Sequence, residues 1–240
     1  MTGFKAFICG ILGTVAFAAA AQAADAPETW GPPREYAPRY VQLLSGWYLR
    51  ADVGYRWNHV GSVETAVPTT SHSIKDSVGA TAGAGFKYHW FRTDMTLDYG
   101  SPADFQARTA APVNQPQYNS RIDAVTGLIN FYADFGTWAG FTPYAGAGLG
   151  ATRLRSAHYV DTSLPVTGSA PSTGRTNFSW AWMAGVAFQV KPQWLIDVGF
   201  RHLELGKVNA TAGTGMPTDF MRAKNLSANE VRVGLRYLFD

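Results

Sequence analysis

The stretch Glu230–Phe239, EVRVGLRYLF, alternates without a break. Val231, Val233, Leu235, Tyr237 and Phe239 fall on one side. Glu230, Arg232, Gly234, Arg236 and Leu238 fall on the other, so every charge shares one face. Side chains repeat every two residues on a strand and every 3.6 on a helix, which makes this segment a β-strand with one apolar and one ionic face. Two surroundings suit such a strand. In a soluble sandwich the apolar face is core and the ionic face meets water. In a membrane barrel the apolar face meets lipid and the ionic face lines a polar interior.

The same alternation recurs along the chain. It covers 46–57, 78–90, 91–99, 122–135, a glycine-rich 141–153, 178–190 and 194–205. With the opening stretch that makes eight strands, each about as long as the 9–11 residues a tilted strand needs to cross a bilayer. Twenty-five glycines and an aromatic content of 14% suit strands and turns. Beyond the N-terminus no apolar run reaches the ~20 residues of a spanning helix. The connections alternate. Segments 58–77, 100–121, 154–177 and 206–225 are long and polar, whereas the joints near 90–91, 136–140 and 191–193 are short. Long loops at one end and tight turns at the other predict an up-and-down membrane barrel.

The aromatic residues separate the two surroundings. Along the up-and-down path Trp47, Tyr88, Trp90, Phe91, Phe135, Phe188, Trp194, Tyr237 and Phe239 fall at the short-turn end. Tyr55, Trp57, Tyr99, Phe178 and Trp180 fall at the long-loop end, with aliphatic residues between. Two aromatic girdles around an aliphatic band match a surface that crosses two lipid–water interfaces, and a soluble barrel has no use for that order.

The opposite face carries Arg50, Arg56, Lys87, Arg92, Arg201, Arg232 and Arg236 against Asp52, Asp94, Asp98, Asp134, Asp197 and Glu230. An eight-stranded barrel is only wide enough for its own side chains. Nearly balanced charges are therefore expected to pair across the lumen and plug it. Gly79, Gly83, Gly85, Gly146, Gly148, Gly150, Gly185 and Gly199 are expected to leave room for the long arginines.

Residues 1–23 have the form of a cleaved signal helix: Lys5, an apolar run from Phe7 to Ala20, and Ala21-Gln22-Ala23 as the cleavage site. Residues 24–45, with Pro27, Pro32, Pro33 and Pro38, are expected to form a flexible periplasmic extension, leaving 46–240 as the barrel. Cys9 is the single cysteine, so cleavage leaves neither a disulfide framework nor thiolate chemistry. The net charge of +3 is spread rather than clustered, which argues against nucleic acid as a partner.

Catalytic material is sparse, and no metal or cofactor site is expected. His59, His72, His89, His158 and His202 are scattered. Hydrolysis of a lipid ester would need a serine and a carboxylate beside a histidine. His202 has Glu204 two residues away on its face, and Ser227 lies on the next strand; His202 reads as a rim residue. Asp94 and Asp98 could form a carboxylate pair but have many basic neighbours. GAG and GAGLG lie inside strands rather than before a helix, so they are not phosphate cradles.

The cleavable signal, PYAGAGLG at 143–150, WLIDVGFRHLELG at 194–206 and the terminal VRVGLRYLF give the chain a family likeness. It resembles the opacity-type, eight-stranded outer-membrane β-barrel surface proteins of Gram-negative bacteria, over roughly 46–239. The resemblance implies an all-β, antiparallel, up-and-down transmembrane barrel in the outer membrane, among lipid and lipopolysaccharide. It also implies a C-terminal strand read by the outer-membrane insertion machinery, although Phe239 is followed here by Asp240. The function it implies is non-enzymatic: envelope integrity, and contact with a host or cell-surface partner through 58–77, 100–121, 154–177 and 206–225. A narrow porin-like channel for small solutes is the alternative, and a lipid A-modifying enzyme a third.

Overall fold

The structure, a computed structural model, describes residues 45–65, 69–109, 117–161, 168–170, 173–211 and 220–239. The signal expected over 1–23 and the extension expected over 24–45 lie outside these residues, apart from Ser45, which opens the first strand. The described chain forms β1 (Ser45–Thr65), β2 (Thr69–Ile74), β3 (Ser77–Tyr88), β4 (Phe91–Thr109) and β5 (Gln117–Asp134). These are followed by β6 (Phe141–Asp161), β7 (Gly168–Ala170), β8 (Thr173–Gln189), β9 (Trp194–Thr211) and β10 (Phe220–Leu238). There is no helix among the described residues.

Eight of these strands close a barrel in the order β1-β3-β4-β5-β6-β8-β9-β10, and β10 returns to pair with β1. Every pairing is antiparallel. The two short strands are ends of longer ones. β2 pairs with β4 in the register that β3 keeps, and the Lys75 amide donates to the Asp104 carbonyl (3.0 Å) across the gap between them. β7 pairs with β6 in the register of β8. The expected eight-stranded up-and-down barrel is the architecture the chain adopts.

The strand ends differ from the sequence reading at the long-loop side. Much of 58–77, 100–121, 154–177 and 206–225 is strand, so four extended hairpins stand there in place of four loops. The cause is an apolar alternation hidden among polar residues: Val60, Ile74, Phe105, Ile122, Leu154, Leu205 and Leu226 all face inward. At the other side the turn expected at Trp90–Phe91 lies one residue earlier, at His89–Trp90. His89 takes a left-handed conformation there (φ 53°), which histidine tolerates better than most residues. Trp90 therefore sits in the turn, not on a strand face.

Outward positions carry the apolar set. Val233 on β10 is 48% exposed, whereas its neighbour Arg232 is 3% exposed. Leu49, Val53, Met95, Leu97, Ile129, Leu149 and Val198 form the aliphatic band. Trp47, Tyr88, Trp90, Phe135 and Phe239 stand exposed at the turn end, and Tyr55, Tyr99, Phe178 and Trp180 at the hairpin end. Trp138 and Phe141, in and beside the 136–140 turn, join the first girdle.

This arrangement has a direct test. A nitroxide attached at Val233→Cys should be relaxed by oxygen dissolved in lipid and shielded from a water-soluble nickel reagent. One at Arg232→Cys should be shielded from lipid. A water-accessible label at 233 and a lipid-accessible label at 232 would reverse the two faces.

Candidate functional site

All twelve of the charged residues singled out for the interior, Arg50, Asp52, Arg56, Arg92, Asp94, Asp98, Asp134, Asp197, Arg201, Glu230, Arg232 and Arg236, lie buried inside the barrel. They are arranged in layers. Nearest the short turns, Arg92 donates to Asp134 through Nε (2.8 Å), and Lys87 reaches the same carboxylate (3.1 Å). The Arg92 guanidinium carbon lies 4.7 Å from the Tyr132 ring centre and 4.8 Å from that of Tyr144. That cation–π sandwich accounts for two terminal nitrogens that make no hydrogen bond. Arg236 grips Asp197 with two bonds (3.0 and 2.6 Å) and lies over Tyr48.

In the next layer Arg50 holds Asp52 through two nitrogens (2.9 and 2.7 Å) and donates to Asp94 (3.1 Å). It also crosses from β1 to the Tyr132 hydroxyl on β5 (2.9 Å). Asp94 further accepts from Tyr48 (3.0 Å) and Asn130 (2.7 Å). Above this, two arginines and two acids form an alternating ring. Arg56 bonds Asp98 and approaches Glu230 (3.6 Å), while Arg201 bonds Asp98 (2.6 Å) and Glu230 (2.8 Å). Thr81 donates to Asp98 as well (2.5 Å). Asp94 and Asp98 thus each face their own arginines rather than each other.

Arg232 departs from the pattern. It is buried, its Nη2 approaches the Met183 sulfur (3.4 Å), and among the described residues no carboxylate pairs with it. The glycine expectation also changes in detail. A β-carbon at Gly79 would overlap the Arg56 guanidinium, as expected. At Gly146, Gly185 and Gly199, however, the room is taken by Tyr132 and Tyr144, and at Gly83 and Gly150 by neighbouring strands packing close.

The hydroxyls of Thr126, Thr152 and Ser179 follow the upper ring, linked at 2.8 and 2.7 Å. Beyond them the interior turns apolar: Phe105, Ile122, Leu154, Leu203, Leu205, Ala223, Leu226 and Ala228 pack into one cluster. The space left between this cluster and Arg56 is about 20 Å³, room for about one water molecule. A bulge between Gly100 and Ala103 shifts β4 by one residue, turning Phe105 inward and Asp104 out. A second, at 223–227 with Asn225 at φ 54°, does the same for β10. No sequence signal marked this cluster beyond the weak alternation itself.

On the outside, His202 Nδ1 lies 2.7 Å from Asn229 Oδ1, and its ring stacks on Trp182 and tilts against Trp180. Ser227 stands opposite Glu204 in the ladder, not opposite His202. At the base of the β4–β5 hairpin, Asp104 accepts from Lys75 (3.1 Å) and Arg121 (3.4 Å), which hold its carboxyl below the ordinary value. Lys224 pairs with Glu64 between β10 and β1.

Comparison with known proteins agrees with this geometry. The family model for the outer membrane protein beta-barrel domain matches residues 9–239. An uncharacterized protein of Brucella suis is 28% identical over 97% of this chain and 96% of its own. A candidate adhesin of Rickettsia conorii is 25% identical over 70% of this chain and 72% of its own. Among solved structures, Neisserial surface protein A superposes with a TM-score of 0.52 at 18% identity, over 81% of this chain and 97% of that one.

Two outcomes are expected from the charge geometry. Arg201→Leu strips the ring of the cation shared by Asp98 and Glu230, and should cost about 3–5 kcal/mol, the usual penalty for orphaning a buried charge. Arg232→Leu, which orphans no carboxylate, should cost clearly less. Urea unfolding in lipid vesicles measures both, and equal losses would contradict the layered pairing. Separately, Asp104 has a lowered folded-state pKa, so its contribution is present above the unfolded value and lost as pH falls through the folded one. In Lys75→Gln the carboxyl titration midpoint, read by NMR, should rise toward the ordinary carboxylate value.

Proposed function

Since this chain belongs to the outer membrane protein β-barrel domain family and resides in the outer membrane, we propose that it acts on its surroundings rather than passing material through itself. It is a non-enzymatic surface protein that braces the envelope and offers its hairpin ends to a host, a partner or a neighbouring cell. The observation that carries this reading is the filled interior. Three ionic layers, a hydroxyl row and an apolar cluster follow one another along the axis, leaving no continuous aqueous path among the described residues. The candidate adhesin among the relatives supports the contact role.

The hairpins suit that role physically. They extend the barrel wall beyond the outer girdle, and their apolar inner faces hold them upright. Their ends, at 66–68, 110–116, 162–167 and 212–219, lie outside the described residues. Loops presented on a rigid scaffold are the usual arrangement for recognition. The terminal strand, with Tyr237 and Phe239 facing out, is the element the insertion machinery reads. His202, tied to Asn229 and packed on two tryptophans, serves the rim as an interfacial residue rather than as a general base.

Replacing 66–68, 110–116, 162–167 and 212–219 by short Gly-Ser turns should abolish adherence of expressing cells to a host-cell monolayer, with the heat-modifiable barrel intact on gels. Undiminished adherence in the stripped variant would refute the contact role. In planar bilayers the wild-type protein should give no steady conductance. A steady, ion-carrying current would favour the narrow channel instead.

A further inference from the structure

The outer rim of the barrel carries a group of cations that neither the lumen nor the hairpin ends explain. On β6 the outward positions run Ala147, Leu149, Ala151, Arg153, Arg155. The two arginines follow each other on one face, about 6.5–7 Å apart along the strand. Both are exposed, and neither takes an ion-pair or hydrogen-bond partner among the described residues. Other cations near this level are tied: Lys75 and Arg121 to Asp104, and Lys224 to Glu64. Asp123 stands opposite Arg155 in the ladder, yet no ion pair joins them.

The neighbouring strands place these arginines at a boundary. Leu149 lies between Ile129 and Trp180, and Ala151 between Gly127 and Phe178. One step higher, Arg153 lies between Val125 and Thr176, and Arg155 between Asp123 and Gly174. The lipid-facing band therefore ends directly beneath two guanidinium groups. Its last row is low: a β-carbon at Gly127 would touch nothing within 4 Å, and Ala151 beside it is small, while Ile129, Trp180 and Phe178 stand higher around them. The Arg153 head group lies across Gly174, where a β-carbon would sit 3.6 Å from its Nε and 3.8 Å from the Arg155 Cγ. Two arginines side by side on one strand face, neither with an acid partner among the described residues, repel each other, and a shared anion would relieve that.

We propose that Arg153 and Arg155, with the shallow apolar trough over Gly127 and Ala151 below them, form a binding site for a phosphorylated, multiply acylated glycolipid of the outer leaflet, the lipid A part of lipopolysaccharide. The planar guanidinium groups match phosphate oxygens in pairs, and the trough takes an acyl chain beside Phe178 and Trp180. An ordinary phospholipid offers one phosphate, whereas the paired arginines suit a head group with more than one. This site is independent of the contact role of the hairpin ends.

The test uses the folded full-length barrel in phosphatidylcholine nanodiscs doped with bisphosphorylated lipid A, the retained lipid being counted by native mass spectrometry. The wild type should retain lipid A in preference to phosphatidylglycerol and to enzymatically dephosphorylated lipid A. The double variant Arg153→Ser/Arg155→Ser should lose about tenfold in retention or more. Arg153→Lys/Arg155→Lys, which keeps the charge but loses the paired guanidinium bonds, should fall between the wild type and the serine variant, and Lys191→Ser, at a short turn at the other end of the barrel, should behave as wild type. Equal retention by the serine variant would overturn the proposal. So would equal wild-type retention of dephosphorylated lipid A or phosphatidylglycerol, a comparison that decides the matter even if the serine variant does not fold.

Discussion

Within hydrocarbon no backbone amide can be left without a partner, and the return of β10 to β1 meets that demand. The pairing runs from Tyr48 opposite Leu238 to Thr65 opposite Met221, so the sheet has no free edge through its lipid-facing height. Closure with eight strands then fixes the bore, and the bore decides what may point inward. The walls are near enough that Arg50 on β1 touches Tyr132 on β5. At that spacing each inward residue is chosen against the far wall. A β-carbon at Gly54 would overlap the Glu230 carboxylate, so the upper ionic ring requires a glycine beside it.

The polarity of the wall reverses at the outer interface. Where lipid lies outside, the outward face is apolar and the inward face ionic. Above the girdle water lies outside, and burial of apolar surface is favourable only inward. β9 shows the change within a few residues: Ile196 and Val198 face out and Asp197 and Arg201 in, then Leu203 and Leu205 face in and Glu204 out. β4 and β10 reach the same result through bulges that shift their phase. A barrel that stays closed well beyond the bilayer is a membrane protein below and a soluble one above, and its apolar cap seals the ionic layers from the outside.

Period-two alternation was enough to assign faces, because a lipid-facing strand tolerates no charge on one side. That is why Val231, Val233 and Leu235 were legible, and with them the barrel. The hairpins were less legible, because apolar residues such as Val60, Phe105 and Leu226 are spaced singly among polar ones. Proline and glycine mark most turns, but His89 supplies a left-handed residue without either. Pairing inside the lumen could not be read at all. Which carboxylate meets Arg201, and that none among the described residues meets Arg232, depends on strands nearly thirty or more residues apart. Tyr132 and Tyr144 fill glycine gaps expected to hold arginine, since parity names a face and not an occupant.

Function in such a molecule is pushed to the places least constrained by folding. The interior is full, so a substitution there is felt across the bore. The lipid band accepts only apolar residues of suitable size. What remains free are the outward positions above the girdle and the hairpin ends, where a side chain meets water on one side and its own strand on the other. Charged residues at those positions do little for stability, because exposed ion pairs contribute little and unpaired cations nothing. Two neighbouring outward arginines at the edge of the lipid band, each without an acid among the described residues, are therefore not explained by folding, and their chemistry is better accounted for by what lies beside them in the membrane.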